Sequence, residues 1–210
     1  MSKYVKYPKT FHVPWSESVN SDDKVTQHMD NFIGKRVIVT EKMDGENTTW
    51  YNDHIHARSL DSVNHPSRNY VKNMWAEIAH MIPEDIRICG ENLYAKHSIG
   101  YNNLKSYFMA FSVWDGQNKC LDWDDTVVWF DLLGITSVPV LYDGIYDEKL
   151  IKGLYNSTYY YQKEGYVIRL ADSFMYDDFN KSVVKFVRRH HVQTEEHWMH
   201  NRSFDINSLG

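Results

Sequence analysis

The sequence is poor in the residues and segments that mark disulfide-rich, secreted or membrane proteins. Only two cysteines, Cys89 and Cys120, occur among 210 residues, so a disulfide framework does not organise the fold. No apolar run approaches the roughly 18 residues needed to cross a bilayer, and the N-terminus lacks the apolar segment of a signal peptide. These absences predict a cytoplasmic protein with two reduced thiols and no membrane partner.

Linkers and repeats are missing as well. Proline and glycine number only 5 and 10, and no Gly/Ser-rich or Pro-rich stretch divides the chain. With 42% hydrophobic and 24% charged residues, the composition is that of an ordinary globular protein. A chain of this length suits one domain, so we expect residues 1–210 to form a single domain.

An excess of positive charge is also missing, because 23 basic residues stand against 28 acidic ones and the net charge is −5. Proteins that bind nucleic acid through overall charge are normally basic, so such binding here needs a local patch. Residues 181–191 are the basic candidate. Aromatic residues, in contrast, are abundant, with 15 Tyr and 7 Trp. Core packing and base stacking both use such rings, and composition does not decide between them.

Hydrophobic periodicity predicts more strands than helices. The predicted strands are residues 36–40, 48–53, 54–59, 86–93, 107–114, 165–170 and 182–187. The predicted helices are residues 22–32, 66–81, 123–133, 147–155 and 192–201. Because the helices interrupt the strands irregularly, without a βαβ alternation, the sequence predicts an α+β fold built on mainly antiparallel sheets with flanking helices.

The stretch most informative about chemistry is Thr-Glu-Lys-Met-Asp-Gly-Glu-Asn at residues 40–47. Lys42 follows a predicted strand and precedes the turn at Asp44 and Gly45, which places its amine at the end of a sheet. Such a lysine can act as a nucleophile when its neutral form is accessible. Alone, Lys-x-Asp-Gly is a weak signal, because ordinary hairpins contain Asp-Gly and average composition yields the pattern in about one such chain in twenty.

Five further stretches carry charged or aromatic residues inside or at the end of a predicted strand. They are Ala-Arg-Ser at 57–59, Cys-Gly-Glu-Asn-Leu at 89–93, Ala-Phe-Ser-Val-Trp-Asp at 110–115, Lys-Glu-Gly-Tyr-Val-Ile-Arg at 163–169 and Val-Val-Lys-Phe-Val-Arg at 183–188. In order and spacing, these stretches resemble the motif series of the covalent nucleotidyltransferases, which include ATP-dependent RNA and DNA ligases and mRNA capping enzymes. The resemblance is strongest to the nick-sealing RNA ligases of the phage and Deinococcus type, and it extends from residues 7–16 to residues 189–199.

This resemblance implies the antiparallel-sheet adenylation fold of the ligases, which is similar to ATP-grasp, as a catalytic core without a separate OB or other accessory domain. It implies ATP as the nucleotide and Mg²⁺ as the metal, with Mn²⁺ as a substitute. RNA would be the partner, as a nicked duplex, as broken ends or within an RNA–DNA hybrid. The protein would act as a monomer in the cytoplasm, which includes the cytoplasm of a phage- or virus-infected cell. Because most relatives append a domain that grips nucleic acid, it also implies weak nick binding or a helper protein.

The resemblance further implies roles for the catalytic and metal-binding positions. Lys42 would attack the α-phosphorus of ATP, giving a lysyl–AMP phosphoramidate, and Lys185 would contact the α-phosphate and stabilise the transition state. Glu91 and Glu164 would hold the ribose or Mg²⁺ with its waters, because Mg²⁺ prefers carboxylate, water and phosphate oxygens. Nearby cations would help Lys42 to stay neutral, because like charges lower the pKa of a lysine.

The remaining positions would contact nucleotide or RNA. Phe111 would stack on adenine, and Arg58 would bind phosphate through its planar guanidinium. Arg188 and Arg189 would contact nucleic acid. The full set of nucleotide-binding candidates is Glu41, Asp44, Gly45, Asn47, Arg58, Glu91, Phe111, Glu164 and Lys185.

Two positions depart from the family pattern, and three alternative functions stay open. Ser112 stands where many relatives have Asp, and Val187 where many have a second lysine, for which Arg188 is the candidate substitute. The alternatives are a DNA ligase, a GTP-dependent capping guanylyltransferase and a non-catalytic nucleotide- or RNA-binding accessory subunit. The small size and the RNA-ligase-like residues 189–199 weigh against the first two, and the intact motif residues weigh against the third.

Overall fold

A computed structural model describes residues 3–61, 64–155, 162–189 and 204–210. Strands predominate in these ranges, and helices are few and short, which confirms the predicted α+β class. The strands are β1 Phe11–His12, β2 Arg36–Lys42, β3 Glu46–Trp50, β4 Ile55–Ala57, β5 Arg87–Asn92, β6 Phe108–Trp114, β7 Lys119–Cys120, β8 Thr136–Ser137, β9 Val140–Ile145, β10 Gly165–Leu170, β11 Phe174–Met175 and β12 Val183–Val187. The α-helices are α1 Asn69–Ile78, α2 Trp123–Leu133, α3 Glu148–Gly153 and α4 Phe179–Ser182, and 3₁₀ turns cover Pro66–Arg68, Ala79–Met81 and Tyr176–Asp178.

The first sheet has the strand order β1-β12-β10-β2-β9 and is antiparallel except for the pair β1 and β12. Its β-branched strand β2 lies between β10 and β9, as suits a central strand. Gly165 of β10 pairs with Lys42 at the end of β2. A Cβ atom at Gly165 would collide with the carbonyl oxygen of Phe186 on the other side, so the three strands meet closely only because residue 165 is glycine.

The second sheet has the strand order β11-β7-β6-β5-β3-β4, and β8 pairs with β6 in parallel. The predicted hairpin of residues 48–59 is confirmed as β3 and β4, with Thr48 opposite Ala57. β5 pairs with β3 on one edge and with β6 on the other, so Glu91 lies opposite Asn47. This register places two of the motif stretches side by side.

Helices cover the outer face of each sheet. Val71 of α1 and Phe130 of α2 pack on Trp50 and Phe108 of the second sheet, whose rings stack with centroids 3.8 Å apart. Ile151 of α3 packs on the first sheet. Because side chains alternate along a strand, the residues between these buried positions point to the opposite face, where the two sheets oppose one another.

Most predicted elements are confirmed within a few residues, and one is wrong. Residues 22–32 form turns instead of the predicted helix. Val25 forms an isolated bridge with His12, and Asp23 contacts buried groups, so tertiary contacts override the local helical preference. Helix α2 ends as predicted at Gly134, which adopts the left-handed conformation with φ of 64°. The predicted helix 192–201 lies outside the described residues. No helix in the described part is long and apolar enough to cross a membrane.

Candidate active site between the two sheets

A cleft of about 200 Å³ opens between the two sheets. Both sheets line it, and so do residues 7–10 and Asp23 from the N-terminal part of the chain. Five cations and three carboxylates stand among its aromatic and aliphatic walls. The lining residues are Tyr7, Pro8, Lys9, Thr10, Asp23, Thr40, Glu41, Lys42, Met43, Asn47, Arg58, Glu91, Phe111, Ser112, Cys120, Val138, Val167, Arg169, Phe174, Val183 and Lys185.

Lys42 ends β2 and points into this cleft. Its Nζ donates a hydrogen bond of 2.6 Å to Oε2 of Glu164, the buried residue just before β10. Burial acts to lower the pKa of Lys42, but attraction to Glu164 and then to Glu91 outweighs it and holds the pKa above the ordinary lysine value. The expectation that cations keep Lys42 neutral is therefore wrong for the free protein. The nearby carboxylates therefore favour the charged form of this amine.

Asp44, Glu91 and Glu164 form a carboxylate cluster around Lys42. Burial and the neighbouring negative charges raise the pKa of Glu91 to about 8, and burial and Glu164 raise the pKa of Asp44 to about 6. Asp44 accepts a 2.7 Å hydrogen bond from the amide of Ile99, which fixes its carboxylate. A Cβ atom at Gly45 would collide with the carbonyl oxygen of Asn92, so glycine lets the turn approach the strand of Glu91. The cluster crowds negative charge that a cation would relieve.

The donor set of this cluster fits Mg²⁺. Mg²⁺ is usually bound by one or two carboxylates together with waters and substrate phosphates, not by an all-protein cage. No group of three or more His, Cys, Asp or Glu side chains in metal-binding geometry is found in the described ranges. Glu91 and Glu164, with raised pKa at Glu91, therefore match the partial ligand set that Mg²⁺ uses beside phosphates.

Lys185 of β12 lies on the same side of the cleft as Lys42. Burial lowers the pKa of Lys185, and the charge of Lys42 lowers it further. Its Nζ lies 3.7 Å from Oδ1 of Asp23. A second cation near Lys42 could stabilise negative charge on an anionic group of a ligand bound in the cleft.

An aromatic wall bounds the cleft beyond the charged groups and consists of Tyr7, Phe111 and Phe174. The half-buried ring of Phe111, on β6, meets the ring of Tyr7 edge to face with centroids 5.4 Å apart. Val167 of β10 packs in the same cluster. A half-buried ring between apolar walls is suited to stacking on a planar base.

Three other predicted site residues also line the cleft. Asn47 of β3 has a buried side-chain oxygen without a hydrogen-bond partner in the described structure, which leaves it free for a ligand. Arg58, just after β4, is exposed at the cleft. The buried carboxylate of Glu41 lies 2.7 Å from Nζ of Lys163, so an ion pair already holds it.

The sequence model of the RNA ligase family matches residues 35–187, which include β2 with Lys42 and β12 with Lys185. The chain belongs to the RNA ligase family. No curated protein sequence matches the chain. The matched region contains the carboxylate cluster, Phe111 and both lysines, whereas Tyr7, Lys9 and Asp23 precede it.

Solved RNA ligase structures share the fold of this family member. The apo form of a Naegleria gruberi RNA ligase mutant is 16% identical, with a TM-score of 0.56 over 87% of this chain and 57% of that one. A second mutant of that ligase, with ATP and Mn, is 17% identical, with a TM-score of 0.54 over 90% and 62%. An archaeal ATP-dependent RNA ligase is 16% identical, with a TM-score of 0.55 over 87% and 48%. The chain thus spans about half to two thirds of the length of these proteins.

Arg188 of this RNA ligase family chain lies elsewhere than predicted. Its side chain is 1% exposed, and its Nε donates a 2.8 Å hydrogen bond to the carbonyl oxygen of Lys163. Its amide also donates to the carbonyl oxygen of Glu164, at 3.0 Å. Arg188 therefore supports the strand end that carries Glu164, and its burial corrects the prediction that it contacts nucleic acid. Arg189 is exposed, and its contact with nucleic acid stays a prediction.

Some cleft residues of the family chain were not singled out from the sequence. Arg169 lies in a predicted motif stretch, but its buried guanidinium, stacked near Trp123 and Phe174, gave no local signal of its own. Lys9 belongs to residues 7–16, which are part of the family resemblance, but the resemblance implies no role for Lys9 itself. Asp23 was assigned to a helix, and no neighbouring residue marks it as part of a site.

Proposed function

We propose that this chain is an ATP-dependent RNA ligase that uses Lys42 as its nucleophile. The observation that carries the proposal is the position of Lys42 in the cleft, hydrogen-bonded to Glu164 at 2.6 Å and close to a second lysine, Lys185, on the same side. Membership of the RNA ligase family supports the same reaction class. An aromatic wall beside the charged groups supports a nucleotide as the substrate.

In the first step, the neutral amine of Lys42 attacks the α-phosphorus of ATP. The N–P bond forms, the bond from the α-phosphorus to the bridging oxygen breaks, and pyrophosphate leaves with that electron pair. The hydrogen bond from Nζ to Oε2 gives the proton of Lys42 a path to Glu164. Lys185 stabilises the negative charge on the α-phosphate oxygens as the two bonds exchange.

Glu91 and Glu164 are the residues that would hold Mg²⁺, and the bound metal would supply charge neutralisation at the phosphates. Asn47 and Arg58, which line the cleft, would contact the ribose or phosphates, and Phe111 would stack on adenine. The nucleotide site would also include Glu41, near the end of β2, and the turn residues Asp44 and Gly45 that follow β2.

Two further steps complete the proposed reaction. An oxygen of a 5′-phosphate end attacks the phosphorus of lysyl–AMP, which releases Lys42 and leaves AMP on the end. A 3′-hydroxyl then attacks that 5′-phosphorus, its proton is lost, and AMP departs as the phosphodiester bond forms. The substrate is RNA at a nick or broken end, alone or in a hybrid with DNA, and Arg189 contributes to its binding. The chain acts as a monomer, with a helper protein where nick binding is weak.

The first test is the intact mass of the protein after incubation with ATP or GTP and Mg²⁺. We expect an adduct of one AMP, about 329 Da, with ATP only, and none in Lys42→Ala. Lys35→Ala, which removes an exposed lysine just before β2, is the matched control and should still gain AMP.

Other outcomes point to the alternative functions. A GMP adduct would assign the chain to capping chemistry, and a folded, nucleotide-free protein without any adduct would favour the accessory subunit. If the AMP adduct forms, nicked duplexes with RNA or DNA on either side of the nick separate the two ligase classes. Sealing of DNA nicks alone would overturn the RNA assignment.

A further inference from the structure

The N-terminal segment, residues 3–26, lies ahead of the family-matched residues 35–187 but packs directly on the strand of Lys185. β1 runs parallel to β12 with His12 opposite Lys185. The amide of Val13 donates a 2.8 Å hydrogen bond to the carbonyl oxygen of Lys185. Two residues further along β12, the amide of Val187 donates to Oγ of Ser16 at 3.0 Å. The segment therefore holds the backbone of β12 at Lys185 and at Val187.

The same segment brings a carboxylate to the side chain of Lys185. Oδ1 of Asp23 lies 3.7 Å from Nζ of Lys185 and 3.5 Å from Nζ of Lys9. Oδ2 of Asp23 accepts a 3.1 Å hydrogen bond from the amide of Asn20 and lies 3.3 Å from Nε2 of His12. The Asp23 side chain is only 10% exposed. The amide of Asn20 and the low exposure of the side chain thus fix the carboxylate in one place.

His12 does not use up the charge of Asp23. Burial and then the charge of Lys185 lower the pKa of His12 to about 4, so its ring is neutral near pH 7. Its Nδ1 lies 2.8 Å from Oγ of Ser16, which anchors the ring within the segment. The negative charge of Asp23 therefore acts on the two lysines beside it.

Charged groups face Lys185 from each element around it. Lys42 of β2 and Arg58 after β4 repel its ammonium, whereas Glu164 before β10 attracts it from a distance. Within the described residues, Asp23 is the carboxylate at ion-pair distance from Nζ of Lys185. A lysine has a flexible four-carbon stem, so without an anchor the repulsion from Lys42 and Arg58 would displace its amine.

We propose that Asp23 is a positioning residue that holds the ammonium of Lys185 at the phosphate side of the cleft. The N-terminal segment is then part of the active site. The inference rests on the proposed function for what Lys185 does to ATP, but the placement of Lys185 by Asp23 stands independently. Asp23 acts through Lys185 and touches no reacting atom.

The first experiment compares single-turnover rates of lysyl–AMP formation in three variants. Asp23→Asn keeps the shape of the side chain but removes its charge, and we expect adenylylation to slow about tenfold or more, since small misplacements of a site group have large effects. Asp23→Glu keeps the negative charge and should therefore retain most of the wild-type rate. Asp22→Asn, the matched control, removes an exposed carboxylate that pairs with Lys9, and it should leave the rate unchanged.

A double-mutant cycle separates positioning from general support of the fold. In a Lys185→Met background, Asp23→Asn should slow adenylylation less than twofold further, because its target is gone. Equal effects in both backgrounds would overturn the proposal. Full adenylylation by Asp23→Asn would overturn it as well, and so would a failure of Asp23→Glu to recover any rate in a folded protein.

A measurement without catalysis distinguishes this inference from the proposed function. Lysines are ¹³C-dimethylated and titrated by NMR, and the Lys185 signal is identified by its loss in Lys185→Arg. The negative charge of Asp23 raises the pKa of Lys185, so the Lys185 signal should titrate at lower pH in Asp23→Asn and unchanged in Asp22→Asn. An unchanged titration in Asp23→Asn would refute the placement even in a protein that forms no AMP adduct. A shifted titration without any adduct would leave the placement intact and reject the proposed function instead.

Discussion

The carboxylate cluster and the aromatic wall both reach the cleft, the cluster through Glu91 and the wall through its three rings. They differ in how favourable their own contacts are. The carboxylate cluster crowds Asp44, Glu91 and Glu164 around one lysine, and burial raises the pKa of Glu91 to about 8. In the aromatic wall, the rings of Tyr7 and Phe111 meet edge to face within the core. The cluster is an unfavourable arrangement that a ligand can improve, whereas the wall is ordinary core packing.

Under the proposed function, this difference separates residues that affect the reaction rate from residues that affect binding of the base. Buried groups that repel one another in the free protein respond strongly to a bound cation or phosphate. Changes to these groups should therefore affect rates. Rings that already pack well offer a surface to a base without changing, so changes there should affect affinity. Four predictions test this division.

Glu164→Gln should have the largest effect. It removes the charge beside Lys42 and one of the two carboxylates expected to hold Mg²⁺, and we expect lysyl–AMP formation to slow by about 10²–10³-fold. Stopped reactions analysed by intact mass give the rate. Glu77→Gln, on the exposed face of α1, is the control and should behave as wild type. A wild-type rate in folded Glu164→Gln would remove Glu164 from the site.

The pH dependence of adenylylation should be the next largest effect. Attraction to the carboxylate cluster outweighs burial and holds the pKa of Lys42 above the ordinary lysine value, so the neutral fraction is small at pH 7 and grows as pH rises. Single-turnover rates should therefore increase by up to about tenfold for each pH unit between 7 and 9, as expected for loss of one proton. A flat profile would show that another event limits the step.

Phe111→Leu should weaken ATP binding without slowing chemistry. Loss of one stacking ring costs about 1–3 kcal/mol, which corresponds to KM for ATP rising by about tenfold while kcat stays within twofold. Phe204→Leu, outside the cleft, controls for the loss of a ring elsewhere. If kcat falls and KM does not, the division between the cluster and the wall is wrong.

The last prediction concerns stability, and Glu91→Gln should increase it. The pKa of Glu91 lies near 8 in the folded protein against an ordinary value of 4.5, so the folded state binds a proton that the unfolded chain releases between these pH values. Wild-type stability therefore falls as pH rises from about 4.5 to 8, and Gln removes that loss. Urea unfolding at pH 8 should show Glu91→Gln more stable than wild type by at least about 1 kcal/mol, with little difference at pH 4.5. Equal stability at pH 8 would contradict the strain assigned to the cluster.

Local patterns predicted the strands that carry the site. β2, β5, β6, β10 and β12 were each expected from β-branched or aromatic runs, because propensity and burial agree there. The exposed edge strand β9 was missed, since its mixed residues, with Asp143 and Gly144, lack the alternation of a half-buried strand. The missed strand β9 therefore lies at an edge where burial imposes no alternation on the sequence.

Residues that act across long sequence distances could not be predicted. Asp23 lies in a stretch with helical character, and only the parallel pairing of β1 with β12 brings it to Lys185. Arg188 has the sequence context of a surface cation, and only the folded structure shows that it is 1% exposed and hydrogen-bonded to Lys163. The sign of the Lys42 pKa shift likewise depends on which charges come nearest, and that is a property of the tertiary fold.

The position of β2 in the first sheet has a consequence for synthesis of the chain. β2 is hydrogen-bonded to β9 and β10, both of which follow it by about a hundred residues or more along the chain. On the ribosome, the strand that carries Lys42 therefore waits without either neighbour until most of the described chain has been made. The surroundings of Lys42 are completed late, with Glu164 and Lys185, so a translation product that ends before β10 contains Lys42 without the carboxylate and the second lysine beside it.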